Sequence, residues 1–289
     1  MKKPSECENT VIVNKALIKP YFPKLQRDIN KGDRGRVIIV GGSSNYVGAI
    51  LLAAEAAMRS GAGTSMIAST KQVTDALRER VAFSGLYPLD GDECIAFDKE
   101  QFDGISKGAT AFAVGMGMAD GDADKIVDYL LKNTKAKFVV DADGLKKIGQ
   151  KADRFGFRAV FTPHPKEFSY LCGLPLEEIL SAPVETAKEY AKAHEVILLL
   201  KGSETVVTDG ERVLVNTEGA PKMAKGGSGD VLSGVIAAQL ARGIEPLYAA
   251  AAGAYLCGRS ANMSDMNEYS YLPSETIRGL VKAIDELIK

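Results

Sequence analysis

The chain has 289 residues, 46% of them hydrophobic and 25% charged, enough for one large domain or two small ones with a substantial buried core. Thirty-six basic residues against thirty-seven acidic ones leave a formal net charge of −1, which excludes the electrostatic footprint of a general nucleic-acid binder. Cys7, Cys94, Cys172 and Cys257 stand far apart without a CxxC pair, and no apolar run approaches ~18 residues; a soluble, unprocessed protein of the reducing cytoplasm is expected, without disulfides, zinc or a membrane span.

In chain order, residues 1 to about 30 read as an arm holding a helix and a polar loop, suited to packing on a neighbour. From "RVIIVGG" onward, short apolar runs alternate with amphipathic segments: "AILLAAEAAMRSGAG", "TSMIAST", "QVTDALRERVAF", "TAFAVGMG", "ADKIVDYLLKN", "KFVVDADG", "AVFTPHP" and "VILLLKG". Strands of continuous β-branched character, each followed by a helical pattern, predict an α/β fold whose mainly parallel sheet is covered on both faces. "TVVTDGERVLVNT" breaks that rhythm as two strands joined by Asp209-Gly210, an antiparallel hairpin at the sheet edge. The chain is then helical from Ser228, and the small-residue segment "PLYAAAAGAYLCGRSA" reads as a buried core helix.

Parallel α/β sheets bind ligands at the carboxyl ends of their strands, so the loops there carry the functional argument. "VGGSSNYVGA" and "VGMGMADGD" are each compatible with a plain tight turn, and neither the GxxxxGK[ST] phosphate loop nor a dinucleotide fingerprint is present. In "TPHPKE", prolines on both sides keep His164 out of helix and present its imidazole from a strand end, with Glu167 within reach of the same pocket. His194, inside a helical stretch, reads as structural. "AKGGSGD" is the strongest signal. Gly226, Gly227, Ser228 and Gly229 open a helix whose free amides suit a phosphate, while Asp230 is either an ordinary helix-start carboxylate or a base that takes a proton from an attacking hydroxyl.

From about Lys31 to the C-terminus, "KGDRGRVIIVGGSSNYVGAILLAAEAAMRSGAG", "VVDADGL", "TPHPKEF", "LLKGSETVV" and "MAKGGSGDVLSGVIAAQLARG" occur in the order found in a known family. The chain resembles the bacterial nucleotide-dependent NAD(P)H-hydrate dehydratases of the ribokinase-like superfamily. The resemblance implies a three-layer α/β/α sandwich and a single catalytic domain over residues 1–289, with no epimerase domain. It implies ADP, or ATP, as phosphoryl donor with Mg2+, and hydrated NADH or NADPH as substrate. It also implies a homotetramer working with a separate NAD(P)H-hydrate epimerase, and no nucleic-acid or membrane partner.

Carried over by residue, Asp230 is the implied base, and Ala49, Gly117, His164 and Asp230 are the implied contacts to the hydrate. Lys201, Gly202, Ser203, Glu204, Thr205 and Gly229 match the nucleotide positions, and Glu167 matches an acidic residue that organises magnesium through water, with His164 where the superfamily motif has Asn. Where the family reads "GPGLG", this chain has "VGMGMADG", with Met116 in place of Pro. The same residues also suit a superfamily kinase that stops at phosphorylation of a sugar, thiazole or pyrimidine alcohol, or a non-catalytic nucleotide-sensing module.

Overall fold

The computed structural model describes residues 3–149 and 155–289. Its strands are β1 (Thr10–Ile12), β2 (Arg36–Val40), β3 (Thr64–Thr70), β4 (Gly85–Leu89), β5 (Ala111–Val114), β6 (Lys137–Val140), β7 (Ala159–Phe161), β8 (Ile197–Leu200), β9 (Thr205–Thr208) and β10 (Val213–Asn216). They form one sheet in the order β1-β10-β9-β8-β7-β6-β5-β2-β3-β4. From β4 to β8 every neighbour is parallel, whereas β9 runs antiparallel to both β8 and β10. The expected antiparallel hairpin is therefore present, one position in from the edge.

Alternation along each strand divides the core in two, because successive side chains point to opposite faces. Val37 and Ile39 enter one hydrophobic cluster, Ile38 and Val40 the other. Helices α2 (Val47–Arg59), α10 (Ser228–Ala241), α11 (Pro246–Asn262) and α12 (Pro273–Ile288) cover the first face. The second is covered by α4 (Lys99–Ser106), α5 (Ala123–Asn133), α6 (Asp143–Ile148), α7 (Pro165–Cys172), α8 (Leu176–Ser181) and α9 (Pro183–His194). Two short helices, α1 (Lys15–Ile18) and α3 (Lys71–Leu77), complete the set among the described residues.

The two outermost strands are the ones the sequence pattern does not reveal. The N-terminal segment is no free arm: residues 10–12 form β1 and pair in parallel with residues 213–215 of the same chain, leaving Val11 half exposed. The helix expected there is a single turn, ended by Pro20. At the other edge β4 contains Pro88, which a strand tolerates where one side of its ladder is open. All four cysteines are free thiols, and no described helix is long and apolar enough to cross a membrane.

Helix α10 is central. Every residue from Val231 to Ala241 is buried, so it is enclosed on all sides rather than amphipathic. It lies so close to α2 that a Cβ on Gly234 would come within 2.1 Å of the Ala53 carbonyl oxygen. Gly234→Ala is therefore expected to force the two helices apart and to lower the unfolding free energy by about 1 to 3 kcal/mol, as overpacking does. Urea denaturation measures this, and an unchanged midpoint would mean that the helices separate without cost.

Candidate active site

A cleft of about 920 Å³ opens at the carboxyl ends of β6, β7 and β8, between the start of α10 and the segment after β10. Asp141 follows β6 directly and is 2% exposed. Such a carboxylate persists as an anion only if it is paired and hydrogen-bonded. Lys201, following β8, places Nζ 3.2 Å from Asp141 Oδ1, and Ser233 on α10 donates its hydroxyl to Asp141 Oδ2 at 2.9 Å. Burial opposes ionisation of Asp141, but Lys201, Ser233 and Thr162 together outweigh it and hold the carboxyl below its ordinary range. Burial likewise opposes the charge on Lys201, and Asp141 and Glu167 more than offset it. The residue after this pair, Ala142, has φ +49°, an uncommon left-handed conformation for a residue with a Cβ, and it lines the cleft.

The glycine turn sits on this ion pair. Gly227 has φ +96° and caps α10, so the backbone calls for glycine; a Cβ there would also crowd Leu52 at 2.8 Å and Pro273 at 3.1 Å. A Cβ on Gly229 would stand 3.3 Å from Asp141 Oδ2 and 3.5 Å from Lys201 Nζ, whereas one on Gly226 would meet nothing within 4 Å. The turn is thus closed beneath and open towards the cleft; the Ser228 amide donates to the Lys225 carbonyl at 3.2 Å, which leaves the amides of Gly226, Gly227 and Gly229 without a backbone partner among the described residues and available to an anion. Ser228 fixes its shape by donating to the Met223 carbonyl at 2.7 Å.

Asp230 occupies the third residue of α10 but caps nothing. Burial, reinforced by Asp141 and Asp143 and only partly countered by Lys201, pushes its carboxyl up to about 6. A carboxylate in that range is ionised at neutral pH yet basic enough to take a proton. His164 has a local task as well as an exposed ring. Its Nδ1 accepts from the Glu167 amide at 3.1 Å, while Glu167 Oε2 accepts from the His164 amide at 2.8 Å, a reciprocal cap on α7 with Pro165 as the first helical residue. The same Glu167 oxygen lies 3.6 Å from Lys201 Nζ, joining the cap to the buried pair.

The expected residues divide between two places. Lys201, Gly202, Ser203, Thr205, His164, Glu167, Gly226, Gly227, Ser228, Gly229 and Asp230 all line the cleft. Glu204 does not: its carboxylate turns to the N-terminal segment and accepts from the Ser5 amide and hydroxyl at 2.8 and 2.9 Å. Ala49 and Gly117 also lie outside the cleft lining, but beside one another, since a Cβ on Gly117 would fall 3.1 Å from that of Ala49 and 2.7 Å from that of Tyr46. This contact lies where β2 and β5 are neighbours while the chain departs from them in opposite directions, the switch point at which such sheets bind ligands. The departure at "VGMGM" has a packing reason: Met116 and Met118 are fully buried in opposite clusters and anchor Gly117 between them.

Sequence reading assigned no role to Asp141 or Ser233. A charged residue ending the apolar run "KFVV" was the available signal for the first; nothing in sequence points to the second, which lies 92 residues away. Among the described residues no three His, Cys, Asp or Glu side chains are arranged to hold a metal ion. The lone Glu167 beside Lys201 suits a magnesium ion that arrives on a polyphosphate and keeps most of its water, not one held by protein alone.

The raised Asp230 carboxyl has a thermodynamic consequence. The fold favours its protonated form, so this stabilisation is complete below about pH 4, where the unfolded chain also protonates, and is lost as pH rises through 6. Asp230→Asn is neutral throughout, so it should match the wild type near pH 4 and exceed it by about 1 to 2 kcal/mol above pH 7, after allowance for partial exposure. Denaturant midpoints across that range test the sign; a variant less stable at pH 7.5 than at pH 4, relative to wild type, would contradict it.

Residues 37–282 match the NAD(P)H-hydrate dehydratase family. The bifunctional NAD(P)H-hydrate repair enzyme of Hyperthermus butylicus is 37% identical over 90% of this chain and 49% of its own. The ADP-dependent (S)-NAD(P)H-hydrate dehydratase of Cenarchaeum symbiosum is 34% identical over 83% of this chain and 85% of its own. This chain therefore spans about half the length of the bifunctional relatives and most of the shorter kind. Among solved structures, the ADP/ATP-dependent NAD(P)H-hydrate dehydratase from Bacillus subtilis, co-crystallised with ATP/Mg2+, has a TM-score of 0.83 at 24% identity and covers 97% of this chain and 100% of its own. Ribokinase from Thermotoga maritima has a TM-score of 0.51 at 14% identity, over 86% of this chain and 99% of its own, so the three-layer sandwich is ribokinase-like. With its sheet, its glycine turn and its strand-end cleft in place, the chain belongs to the NAD(P)H-hydrate dehydratase family.

Proposed function

We propose that this chain removes water from the S epimers of hydrated NADH and NADPH at the expense of ADP, with ATP as an alternative donor. The observation that carries this reading is Asp230: a carboxylate pushed up to about 6, capping nothing, beside an anion-receiving turn built over Lys201. In this reading the nucleotide lies along the cleft, its terminal phosphoryl group at the Gly226, Gly227 and Gly229 amides and near Lys201. Mg2+ would be carried in by the nucleotide, with Glu167 placed to order its water, and would supply neutralising charge.

Asp230 takes the proton of the ring hydroxyl as that oxygen forms a bond to the terminal phosphorus and the bond to the nucleotide's bridging oxygen breaks. Amides at the start of α10 stabilise the charge on the transferring group. The phosphorylated ring then expels phosphate as the electron pair of the ring nitrogen forms a transient C=N bond; loss of a proton from the adjacent ring carbon to the departing phosphate or water leaves the C–H electrons in the new C=C bond and returns the nitrogen pair. Hydroxide leaves poorly and phosphate leaves well, which is why phosphorylation makes the elimination accessible. Residues 1–289 act as one catalytic domain in this reading, and repair of an epimeric mixture requires an NAD(P)H-hydrate epimerase activity beside it.

Hydrated NADH incubated with ADP, with ATP and without nucleotide tests the reaction. The near-ultraviolet absorbance of NADH should return only with nucleotide. Consumption of nucleotide without that absorbance would instead indicate a kinase. Asp230→Asn should retain ADP binding by calorimetry while its turnover falls by about 10²- to 10⁴-fold, the usual worth of a general base; a near-normal rate would reduce Asp230 to a helix-start residue.

His164 calls for two variants, since it caps α7 as well as facing the cleft. His164→Ala should lose about 1 kcal/mol of stability, and His164→Asn, itself a good cap, should recover it. If the imidazole contacts the hydrate, both variants raise the KM for hydrate with little change in ADP affinity. Recovery of KM by Asn would leave only the capping role.

A further inference from the structure

We infer that Asn216 reads the nucleobase of the phosphoryl donor, accepting a hydrogen bond from the exocyclic amino group of a 6-aminopurine. This rests on the reading of the cleft as a nucleotide site. Asn216 ends β10 and faces Thr205 across the antiparallel pair, and both residues line the cleft. It is 2% exposed, yet its Oδ1 accepts no hydrogen bond from the protein. Leaving a buried amide oxygen unpaired is unfavourable, so a site that retains one is built for a donor that comes with the ligand.

The orientation of the amide is fixed. Its Nδ2 donates to the Glu218 carbonyl at 2.8 Å, and the reversed amide would set two acceptors against each other at that distance. The surroundings suit the flat apolar body of a base. Leu232 on α10, and Ala254 and Cys257 on α11, line the same cleft, and the Cys257 thiol is buried. The phosphate-receiving turn and Lys201 belong to this cleft as well, so one nucleotide can reach both features. Adenine offers an N–H donor at the 6-position; hypoxanthine and guanine offer an oxygen there, which would oppose Oδ1.

Calorimetric titration of the full chain with ADP, IDP and GDP tests this. The wild type should bind ADP about ten-fold or more tightly than IDP or GDP, a difference of the size carried by one hydrogen bond exchanged for an acceptor–acceptor contact. In Asn216→Ala, ADP should weaken about ten-fold and IDP less than about two-fold, so that the preference nearly disappears. Equal wild-type affinity for ADP and IDP overturns the assignment while leaving the nucleotide reading intact, and so does an unchanged preference in the variant. Failure of the wild type to bind any of the three removes both. The wild-type ratio decides the matter even if the variant does not fold.

Discussion

The ion pair between Lys201 and Asp141 is the contact on which the rest of the site depends. Their strands, β8 and β6, are separated by β7, so the bridge passes over the end of the intervening strand and locks three strand ends together. The second Asp141 oxygen takes the Ser233 hydroxyl, which fastens the first turns of α10 to the same point. Removing Lys201 would strand the buried Asp141 carboxylate at a cost of about 3 to 5 kcal/mol, far more than a surface pair is worth. Gly229 lies against this pair, since a Cβ there would stand 3.3 Å from Asp141 Oδ2.

The same arrangement creates the tension that raises the Asp230 carboxyl. A helix start attracts anions, and a second carboxylate beneath it repels them. Lys201 resolves the conflict for Asp141, which it touches, and only partly for Asp230, which remains pushed up by burial and by its acidic neighbours. The fold therefore holds at neutral pH a carboxylate it would rather protonate, a local sacrifice of stability of the kind expected where a proton must move.

Cleft and switch point are mechanically joined. The loop after β5, which presents Gly117, is tied to α6 by the Ala119 amide donating to Asp143 at 2.9 Å, and α6 begins just after Asp141. On the other side, α10 packs on α2, whose first turn presents Ala49, with Gly234 allowing the close approach. Elements that would hold the two reactants thus share one rigid framework. Orientation of this kind accounts for much of what an enzyme contributes to a transfer between two bound groups.

Local sequence was sufficient wherever the cause was local. The central strands were evident because a strand buried on both faces must be apolar throughout, and the hairpin because Asp209-Gly210 suits a tight turn. The glycine turn that opens α10 was evident too, because consecutive small residues mark it. The edge strands β1 and β4 left no such mark: three exposed-to-half-exposed residues, and a run containing Pro88, become strands only because a neighbour offers a ladder. Tertiary structure alone turned Glu204 to Ser5, gave His164 a capping role, brought Asp141 and Asn216 to the cleft, and set Ser233 against Asp141. Each of those outcomes is a contact between strand and helix ends distant in the chain or an effect of burial, and neither spacing nor residue type carries that information.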